Sequence, residues 1–295
     1  MRLFGGIEAG GTKFNCIVAA APDDIRAELR IPTTLPGETM KHVADFFEPY
    51  REGIAALGIG SFGPLDAHRS SPAYGSITST PKPGWKDVNI RAMLQQRFPV
   101  PVGFDTDVNA AALGEKRWGA AQGKENFIYL TVGTGIGGGV FAGGTVVHGL
   151  IHPEMGHIYI PHERGLDPFE GVCPFHKDCL EGLATGPAME KRWGLPAEKL
   201  PDGHPAWDLE AGYLACALVN YIAILSPELI ILGGGVMQRE SLFPLIRRKV
   251  RELLNGYIRT PLIVDENEDF IVSPGLGTRS GALGSLALAM EALGL

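Results

Sequence analysis

The stretch GIEAGGTK, at residues 6–13, decides how this chain is interpreted. The apolar residues 3–8 and the following residues 13–20 each predict a strand, which places the consecutive glycines in a tight turn between them. A turn of this kind exposes backbone N–H groups, and the hydroxyl of Thr12 adds another hydrogen-bonding group. The segment therefore predicts a hairpin whose tip is able to hold an anion.

The second half of the chain begins with the same arrangement. Residues 127–132 predict a strand, the turn contains Gly133, Thr134 and Gly135, and residues 139–147 predict the returning strand. Helical spacing alternates with further apolar strands in both halves, which is typical of α/β layers with mostly parallel sheets. The repetition predicts an α/β fold built from two similar halves.

Length and composition agree with two domains. The chain has 295 residues, of which 45% are hydrophobic, and this is enough for two cores. We predict an N-terminal α/β domain over residues 1–115, completed by the C-terminal helix at residues 281–295, and a C-terminal α/β domain over residues 116–280. Glycine makes up 40 of the 295 residues, about twice its usual share, and clusters at the ends of apolar segments.

The charge distribution disfavours several classes of partner. Lys and Arg number 26 against 33 Asp and Glu, so the net charge is −7, and basic residues form no cluster. This disfavours binding to nucleic acid or to an anionic membrane. The longest apolar run, residues 214–225, is shorter than the ~20 residues of a membrane span, and the N-terminus does not resemble a signal peptide. We therefore expect a cytoplasmic protein.

Two common nucleotide-binding motifs do not account for the glycine turns. A P-loop needs Lys directly after its second glycine, where this chain has Thr12. The pattern G-x-G-x-x-G does occur at residues 133–138, but residues 139–147 after it predict a strand and not the required helix. A third glycine loop, residues 233–235, follows the apolar strand at residues 229–232. Any one of these loops would be an ordinary turn, but three in similar positions favour phosphate binding.

Two acids lie where a strand is followed by a helix. Asp105 and Asp107 both precede the Ala-rich predicted helix at residues 109–118. A carboxylate at such a junction is suited to accept a proton from a substrate hydroxyl. Either acid could instead cap the N-terminus of the helix. Their spacing does not decide which of the two is the reactive one.

A short loop combines three potential metal ligands. Cys173, His176 and Cys179 are spaced three residues apart, and one distant histidine would complete the four ligands of a structural zinc ion. A disulfide between the two cysteines is disfavoured in a cytosolic chain, and two free thiols are the other alternative. The candidate fourth ligands are His152, His157 and His162.

Six stretches, in order along the chain, resemble the ROK family of bacterial sugar kinases. The resemblance is strongest to the fructokinase branch of this family, which lies within the actin and hexokinase superfamily. It implies a two-domain actin/hexokinase-like ATPase fold with ribonuclease H-like halves and an active-site cleft between the domains. The stretches are GIEAGGTK (6–13), TPKPGW (80–85), DVNAAALGE (107–115), TVGTGIG (131–137), HPEMGH (152–157) and GGGVM (233–237).

The resemblance implies a reaction and its participants. The expected activity is ATP-dependent phosphorylation of the 6-hydroxyl of D-fructose, with Mg²⁺ accompanying ATP, a structural Zn²⁺ and a homodimeric assembly. A mannokinase or glucokinase of the same family is the alternative, because no residue discriminates these sugars on physical grounds. The family also includes sugar-responsive repressors, but the first glycine strand begins at Leu3 and leaves no room for a preceding DNA-binding domain. A non-catalytic sugar-binding module is a further alternative.

The resemblance also assigns roles to individual residues. It implies Asp107 as general base, Glu154, His157 and Glu181 as ligands of the sugar together with Asp107, and His157 as the zinc ligand that joins Cys173, His176 and Cys179. The residues expected to bind ATP are Gly10, Gly11, Thr12, Lys13, Gly133, Thr134, Gly135, Pro187, Gly234, Gly235, Val236, Met237 and Gln238.

Three positions carry a further expectation. The family usually has Asn where this chain has Thr106, which removes a possible hydrogen bond to the sugar. It more often has Asp where this chain has Glu8, so we expect Glu8 to act on magnesium through water. Trp85 either anchors its loop or stacks on the sugar.

Overall fold

The structure is a computed structural model that describes residues 2–264 and 269–295. Its strands, in chain order, are β1 (Leu3–Ala9), β2 (Lys13–Ala21), β3 (Asp24–Pro32), β4 (Ile54–Ser61), β5 (Ser76–Ile77), β6 (Val88–Asn89), β7 (Val102–Thr106), β8 (Phe127–Val132), β9 (Ile136–Ala142), β10 (Thr145–Val146), β11 (Leu229–Gly233) and β12 (Ile271–Val272). Its helices are α1 (Pro36–Phe47), α2 (Ile90–Arg97), α3 (Asp107–Trp118), α4 (Leu180–Ala184), α5 (Gly186–Trp193), α6 (Ala206–Leu225), α7 (Leu242–Leu254), α8 (Pro261–Val264) and α9 (Ser280–Ala292).

The chain divides into two compact units. Unit 1 consists of Met1–Gly123, Val146–Pro153 and Gly275–Leu295, and unit 2 consists of Lys124–Thr145 and Glu154–Pro274. Val146–Pro153 thus belongs to unit 1 although the chain on either side of it belongs to unit 2. This short segment carries two histidines, His148 and His152.

Both units contain a five-stranded sheet with the same pattern. In unit 1 the strand order is β3-β2-β1-β4-β7, and in unit 2 it is β10-β9-β8-β11-β12. The first strand of each unit forms an antiparallel hairpin with the next, β1 with β2 and β8 with β9. On its other side it pairs in parallel with a later strand, β4 or β11. The repetition expected from the sequence is therefore present in the two sheets.

Glycines allow α9 to pack closely on the sheet of unit 1. Gly6 of β1, Gly58 of β4 and Gly103 of β7 lie side by side in register. A Cβ atom at each position would overlap backbone atoms of α9. Beside this row, Phe4 and Leu286 belong to one buried cluster. Several glycines outside the turns are thus explained by the close approach of a helix to a sheet.

The opposite face of this sheet packs against the main core of unit 1. Phe14, Phe47 and Trp85 are fully buried there. The ring of Trp85 lies 5.5 Å from those of Phe14 and Phe62, and its indole N–H donates to the carbonyl of Thr34 at 2.8 Å. Trp85 therefore anchors its loop in the core, which decides between the two roles expected for it.

In unit 2 the long helix α6 packs against α7 and α4. Its length and apolar composition would suffice for a membrane span, and half of its apolar window is buried. The buried residues include Trp207, Leu214 and Leu218. Burial of this kind is what a core helix of an α/β unit requires, because the sides of α6 that contact α7 and α4 must be apolar.

Candidate active site

The structure distinguishes the two acids that follow strand β7. Asp105 is only 6% exposed, and its Oδ1 accepts hydrogen bonds from the backbone N–H of Thr106 and from the side-chain amide of Asn109, both at 2.7 Å. Asp107 is the first residue of α3 and is partly exposed. Its Oδ1 accepts from the N–H of Val108 at 2.9 Å. Asp105 is therefore held inside the fold, whereas Asp107 lies at the surface of unit 1.

Neither acid caps the helix, because Thr106 does. Its hydroxyl accepts from the N–H of Asn109 at 3.0 Å and is buried with the rest of the side chain. The first turn of α3 approaches β4 closely at Gly60, where an added Cβ would lie 3.3 Å from the Cα of Asp107. The Thr that replaces the family's usual Asn thus stabilises the first turn of α3.

Glu8 lies near the end of β1 on the side of the sheet that faces α9. Its Oε2 accepts from the side-chain amide of Asn15 at 2.7 Å, and a Cβ at Gly281 would overlap its carboxylate. Burial raises the pKa of Glu8, while the hydrogen bond from Asn15 and the charge of Lys13 lower it. The carboxylate is thus fixed by its neighbours at the start of α9.

The first glycine turn, in unit 1, is a tight hairpin tip. The N–H of Gly10 donates to the carbonyl of Lys13 at 2.9 Å, and the hydroxyl of Thr33 donates to the carbonyl of Gly10 at 2.7 Å. No atom lies within 4 Å of the position that a Cβ on Gly11 would take. The backbone of Gly11 is therefore accessible from that side, as an anion-binding tip requires.

Unit 2 brings the other predicted phosphate-binding segments together. The N–H of Gly186, which opens α5, donates to the carbonyl of Gly133 at 2.9 Å. A Cβ on Gly133 would lie 3.7 Å from the amide nitrogen of Gly235. Gly234 has a φ of +92°, and a side chain there would overlap the backbone of Val132. The hairpin tip, the start of α5 with Pro187, and the loop after β11 thus form one group of closely packed backbone.

The residues after this third loop differ in accessibility. Val236 and Met237 are each 4% exposed, whereas the side chain of Gln238 is exposed. Val236 and Met237 pack into unit 2, so little of their side-chain surface is accessible to a nucleotide. Thr134 and Gly135 lie at the hairpin tip between β8 and β9.

Four side chains in unit 2 form a compact cluster of potential metal ligands. The ligand atoms of His157, Cys173, His176 and Cys179 all lie within 4.8 Å of one another. The Nδ1 of His157 is 3.8 Å from the Sγ of Cys173 and 3.7 Å from that of Cys179, and the Nδ1 of His176 is 3.7 Å from the Sγ of Cys173. Neighbouring ligands of a tetrahedral zinc ion are separated by roughly 3.5 Å. The cluster therefore fits such an ion.

The loop that carries this cluster is held by close backbone contacts. Cys173 and Lys177 form an antiparallel bridge, with hydrogen bonds of 3.2 and 3.0 Å between their backbones. Gly171 and Gly182 both pack against the carbonyl of Lys177, where a side chain would overlap it. Of the other candidate ligands, His152 accepts a hydrogen bond from the N–H of Leu65, and His162 contacts Asp178.

Glu181 connects the cluster to the second glycine turn. Its Oε2 accepts from the N–H of Ile136 at 3.0 Å, and its Oε1 lies 3.8 Å from the Nε2 of His157. Glu154 is half-buried, and burial, followed by the negative charge of Glu181, raises its pKa to about 7. Three of the four side chains expected to bind the sugar, Glu154, His157 and Glu181, thus lie together in unit 2 beside the Gly133–Gly135 turn, and the fourth, Asp107, belongs to unit 1.

Comparison with known proteins identifies the family. The sequence matches the model of the ROK family over residues 4–292. The chain belongs to the ROK family. Curated fructokinases are 41–45% identical to it; that of Pediococcus pentosaceus is 45% identical over 99% of both chains. The glucokinase of Thermotoga maritima is only 28% identical, over 98% of both chains.

A solved structure agrees with this assignment. The ROK hexokinase from Thermus thermophilus superposes with a TM-score of 0.79 at 29% sequence identity, over 99% of both chains. The predicted family and the predicted actin/hexokinase-like α/β fold are therefore confirmed.

One contact of Asp105, two residues before Asp107, is not expected from the sequence. The Nε2 of His148 lies 3.1 Å from Oδ1 and 3.0 Å from Oδ2 of Asp105. The two residues are 43 positions apart, and His148 stands in a segment without a recognisable motif. Only the return of Val146–Pro153 to unit 1 makes this contact possible.

Proposed function

We propose that this protein transfers the γ-phosphoryl group of ATP to the 6-hydroxyl of D-fructose, giving fructose 6-phosphate. The observation that carries the proposal is the grouping in unit 2, where Glu181 joins the glycine turn to His157 beside Glu154. Carboxylates suit a polyol because each accepts two hydrogen bonds from hydroxyl groups. The turn beside them offers backbone N–H groups to the nucleotide.

In this reaction Asp107 accepts the proton of the attacking hydroxyl. Two findings support this choice over Asp105: Asp107 is partly exposed, and Asp105 is buried and hydrogen-bonded within the fold. Glu154, His157 and Glu181 orient the sugar. Positioning of this kind provides much of the rate enhancement in phosphoryl transfer.

The nucleotide is held by backbone groups of three loops. These are Gly10–Lys13 in unit 1, and in unit 2 the turn at Gly133, Thr134 and Gly135 and the loop from Gly234 to Gln238, with Pro187 at the start of α5. Magnesium bound together with ATP would neutralise charge on the phosphates. Glu8 is the candidate to reach it through water.

Zinc is the metal that best fits His157, Cys173, His176 and Cys179. Two thiolates and two imidazoles at these separations match its tetrahedral preference. When bound, the ion stabilises the loop around Cys173 and Cys179. With its Nδ1 directed to the metal, His157 keeps Nε2 available for a sugar hydroxyl or for Glu181.

A sugar panel tests the activity. ADP release is measured with fructose, mannose and glucose, and the product is identified by coupling through phosphoglucose isomerase, which accepts fructose 6-phosphate but not the 1-phosphate. We expect fructose to have the highest kcat/KM. Preference for glucose or mannose would favour the alternative kinase activity, and no ADP release with any sugar would contradict the proposal.

The base is tested with Asp107→Asn. Loss of a general base costs about 10²–10⁴-fold in kcat, so turnover should fall to near background. Asp45→Asn is the matched control, because Asp45 is an acid on the exposed side of α1 paired with Lys41. Full activity of the Asp107 variant would exclude this residue as the base.

Two properties of the whole protein are also part of the proposal. We place it in the cytoplasm, in agreement with four free cysteines, and we expect a homodimer from the family resemblance. Light scattering during size-exclusion chromatography measures the assembly, and a monomeric mass would contradict the dimer.

A further inference from the structure

His148 stands beside the acid that precedes the proposed base by two residues. Its Nε2 contacts both carboxylate oxygens of Asp105, at 3.1 and 3.0 Å. The side chain of Asp105 is 9% exposed and that of His148 is 31% exposed. The histidine therefore covers a nearly buried carboxylate from the solvent side.

Asp105 transmits this contact to the first turn of α3. Its Oδ1 also accepts from the N–H of Thr106 and from the side-chain amide of Asn109, each at 2.7 Å. The N–H of Asn109 in turn donates to the hydroxyl of Thr106 at 3.0 Å. Asp107 lies between these two residues in the chain. A displacement of the Asp105 carboxylate would therefore move the backbone that carries the base.

The charges around this pair favour a donating histidine. The hydrogen bond to Asp105 raises the pKa of His148, while its partial burial and the charge of Arg69 lower it. The charges of Asp105 and His148 also act on His152, and Glu291 interacts electrostatically with Arg117, Arg69 and Asp105. Without a positive partner, the nearly buried carboxylate of Asp105 would carry an uncompensated negative charge beside the first turn of α3.

We propose that His148 is a positioning residue for phosphoryl transfer, which holds Asp105 and thereby fixes the first turn of α3 and the carboxylate of Asp107. The inference rests on the proposed function, in which Asp107 is the base. It assigns to the segment Val146–Pro153 an indirect part in catalysis, through Asp105. Its effect is expected in kcat and not in substrate binding, because the contact acts on the base.

The test compares His148→Ala with His148→Gln, with kcat and KM for ATP and fructose measured separately. A charge-assisted hydrogen bond is lost in the alanine variant, so kcat should fall about tenfold, with both KM values within twofold of wild type. Glutamine retains an N–H donor of similar reach and should restore kcat to within about threefold. His148→Asn, which is too short to reach Asp105, should behave like the alanine variant and replaces it if that variant does not fold.

The matched control is His68→Ala. The Nε2 of His68 contacts the carbonyl of Leu150 at 3.2 Å, so it holds the same segment without touching Asp105. We expect this variant to keep wild-type kcat. Equal losses in the His68 and His148 variants would show that only the anchoring of the segment matters and would overturn the inference.

A second comparison uses Asp105→Asn alone and combined with His148→Ala. If both residues act on Asp107 through one contact, the double variant loses less than the product of the two single losses. Wild-type kcat in the His148 variant, with an inactive Asp107→Asn variant, would refute this inference alone. An active Asp107→Asn variant would instead refute the proposed function.

Discussion

Replacement of Gly284 by alanine tests the packing that places the proposed base, Asp107. Gly284 lies in α9 where this helix crosses α3, and a Cβ there would lie 2.9 Å from the amide nitrogen of Ala111 and closer still to the carbonyl of Ala110. Ordinary contacts of a Cβ begin at 3.4 Å. Both neighbours are backbone atoms, which cannot rotate away, so the two helices must separate by about 1 Å or more.

The expected cost follows from this separation. Overpacking of a well-packed core costs about 1–3 kcal/mol, and a clash with backbone should lie at the upper end, at about 3 kcal/mol. At about 2–4 °C per kcal/mol, Tm should fall by about 6–12 °C. Ala110 is three residues after Asp107, so kcat should also fall, by about 10–100-fold, because a base displaced by about 1 Å loses its alignment.

Gly212→Ala is the matched control. Gly212 is also a helical glycine, in α6, but no atom lies within 4 Å of the position of its added Cβ. This change should leave kcat unaltered and raise the free energy of unfolding by about 0.5–1 kcal/mol. Differential scanning calorimetry and steady-state kinetics on both variants give the comparison. A Gly284→Ala protein with the wild-type Tm and kcat would refute the close α3–α9 packing.

Three further predictions concern the cluster, the pH dependence and a buried acid. Cys179→Ser should lower the zinc content, measured by mass spectrometry of the digested protein, from about one ion per chain to near zero, whereas Cys216→Ser, outside the cluster, should retain it. The hydrogen bond to Asp105 raises the pKa of His148 in the folded state. The contribution of this pair to the free energy of unfolding is therefore complete at pH values below the pKa of an unfolded histidine, about 6.5, and is lost as the pH rises through the pKa of His148 in the folded protein. His148→Gln should therefore lower the free energy of unfolding, measured with urea, by up to about 1 kcal/mol at pH 5.5 and by less at pH 9. An equal loss at both pH values would argue against the ion pair. Glu115→Gln should lower the free energy of unfolding by about 3 kcal/mol, because Glu115 accepts four hydrogen bonds in the core of unit 1 and an amide cannot accept them all. An unchanged midpoint of urea unfolding would contradict this prediction.

Local properties of the chain determined the repeated plan of this protein. A strand, a glycine turn and a returning strand are recognisable at residues 6–13 and again at 131–137 because alternation and turn residues depend on neighbours in sequence. The spacing of Cys173, His176 and Cys179 is equally local, and it indicates a metal site without reference to the fold. The family resemblance added the order of these motifs along nearly the whole chain.

Strand β3 shows where local signals were insufficient. Asp24–Pro32 carries four charged residues, three of which are exposed, and the sequence pattern predicts no strand there. It forms because β2 offers a free antiparallel edge, and an edge strand tolerates polar side chains on its open face. Similarly, β9 begins at Ile136 and not at residue 139, because its pairing with β8 extends to the turn itself.

Only the tertiary structure decided which side chains act together. Asp105 and Asp107 are equivalent by spacing, and they differ because His148 and Asn109 contact one and leave the other at the surface. The row of Gly6, Gly58 and Gly103 has meaning only beside α9, more than 170 residues later in the chain. Such contacts depend on packing between distant segments, and the free energy of that packing is not encoded in any short stretch of sequence.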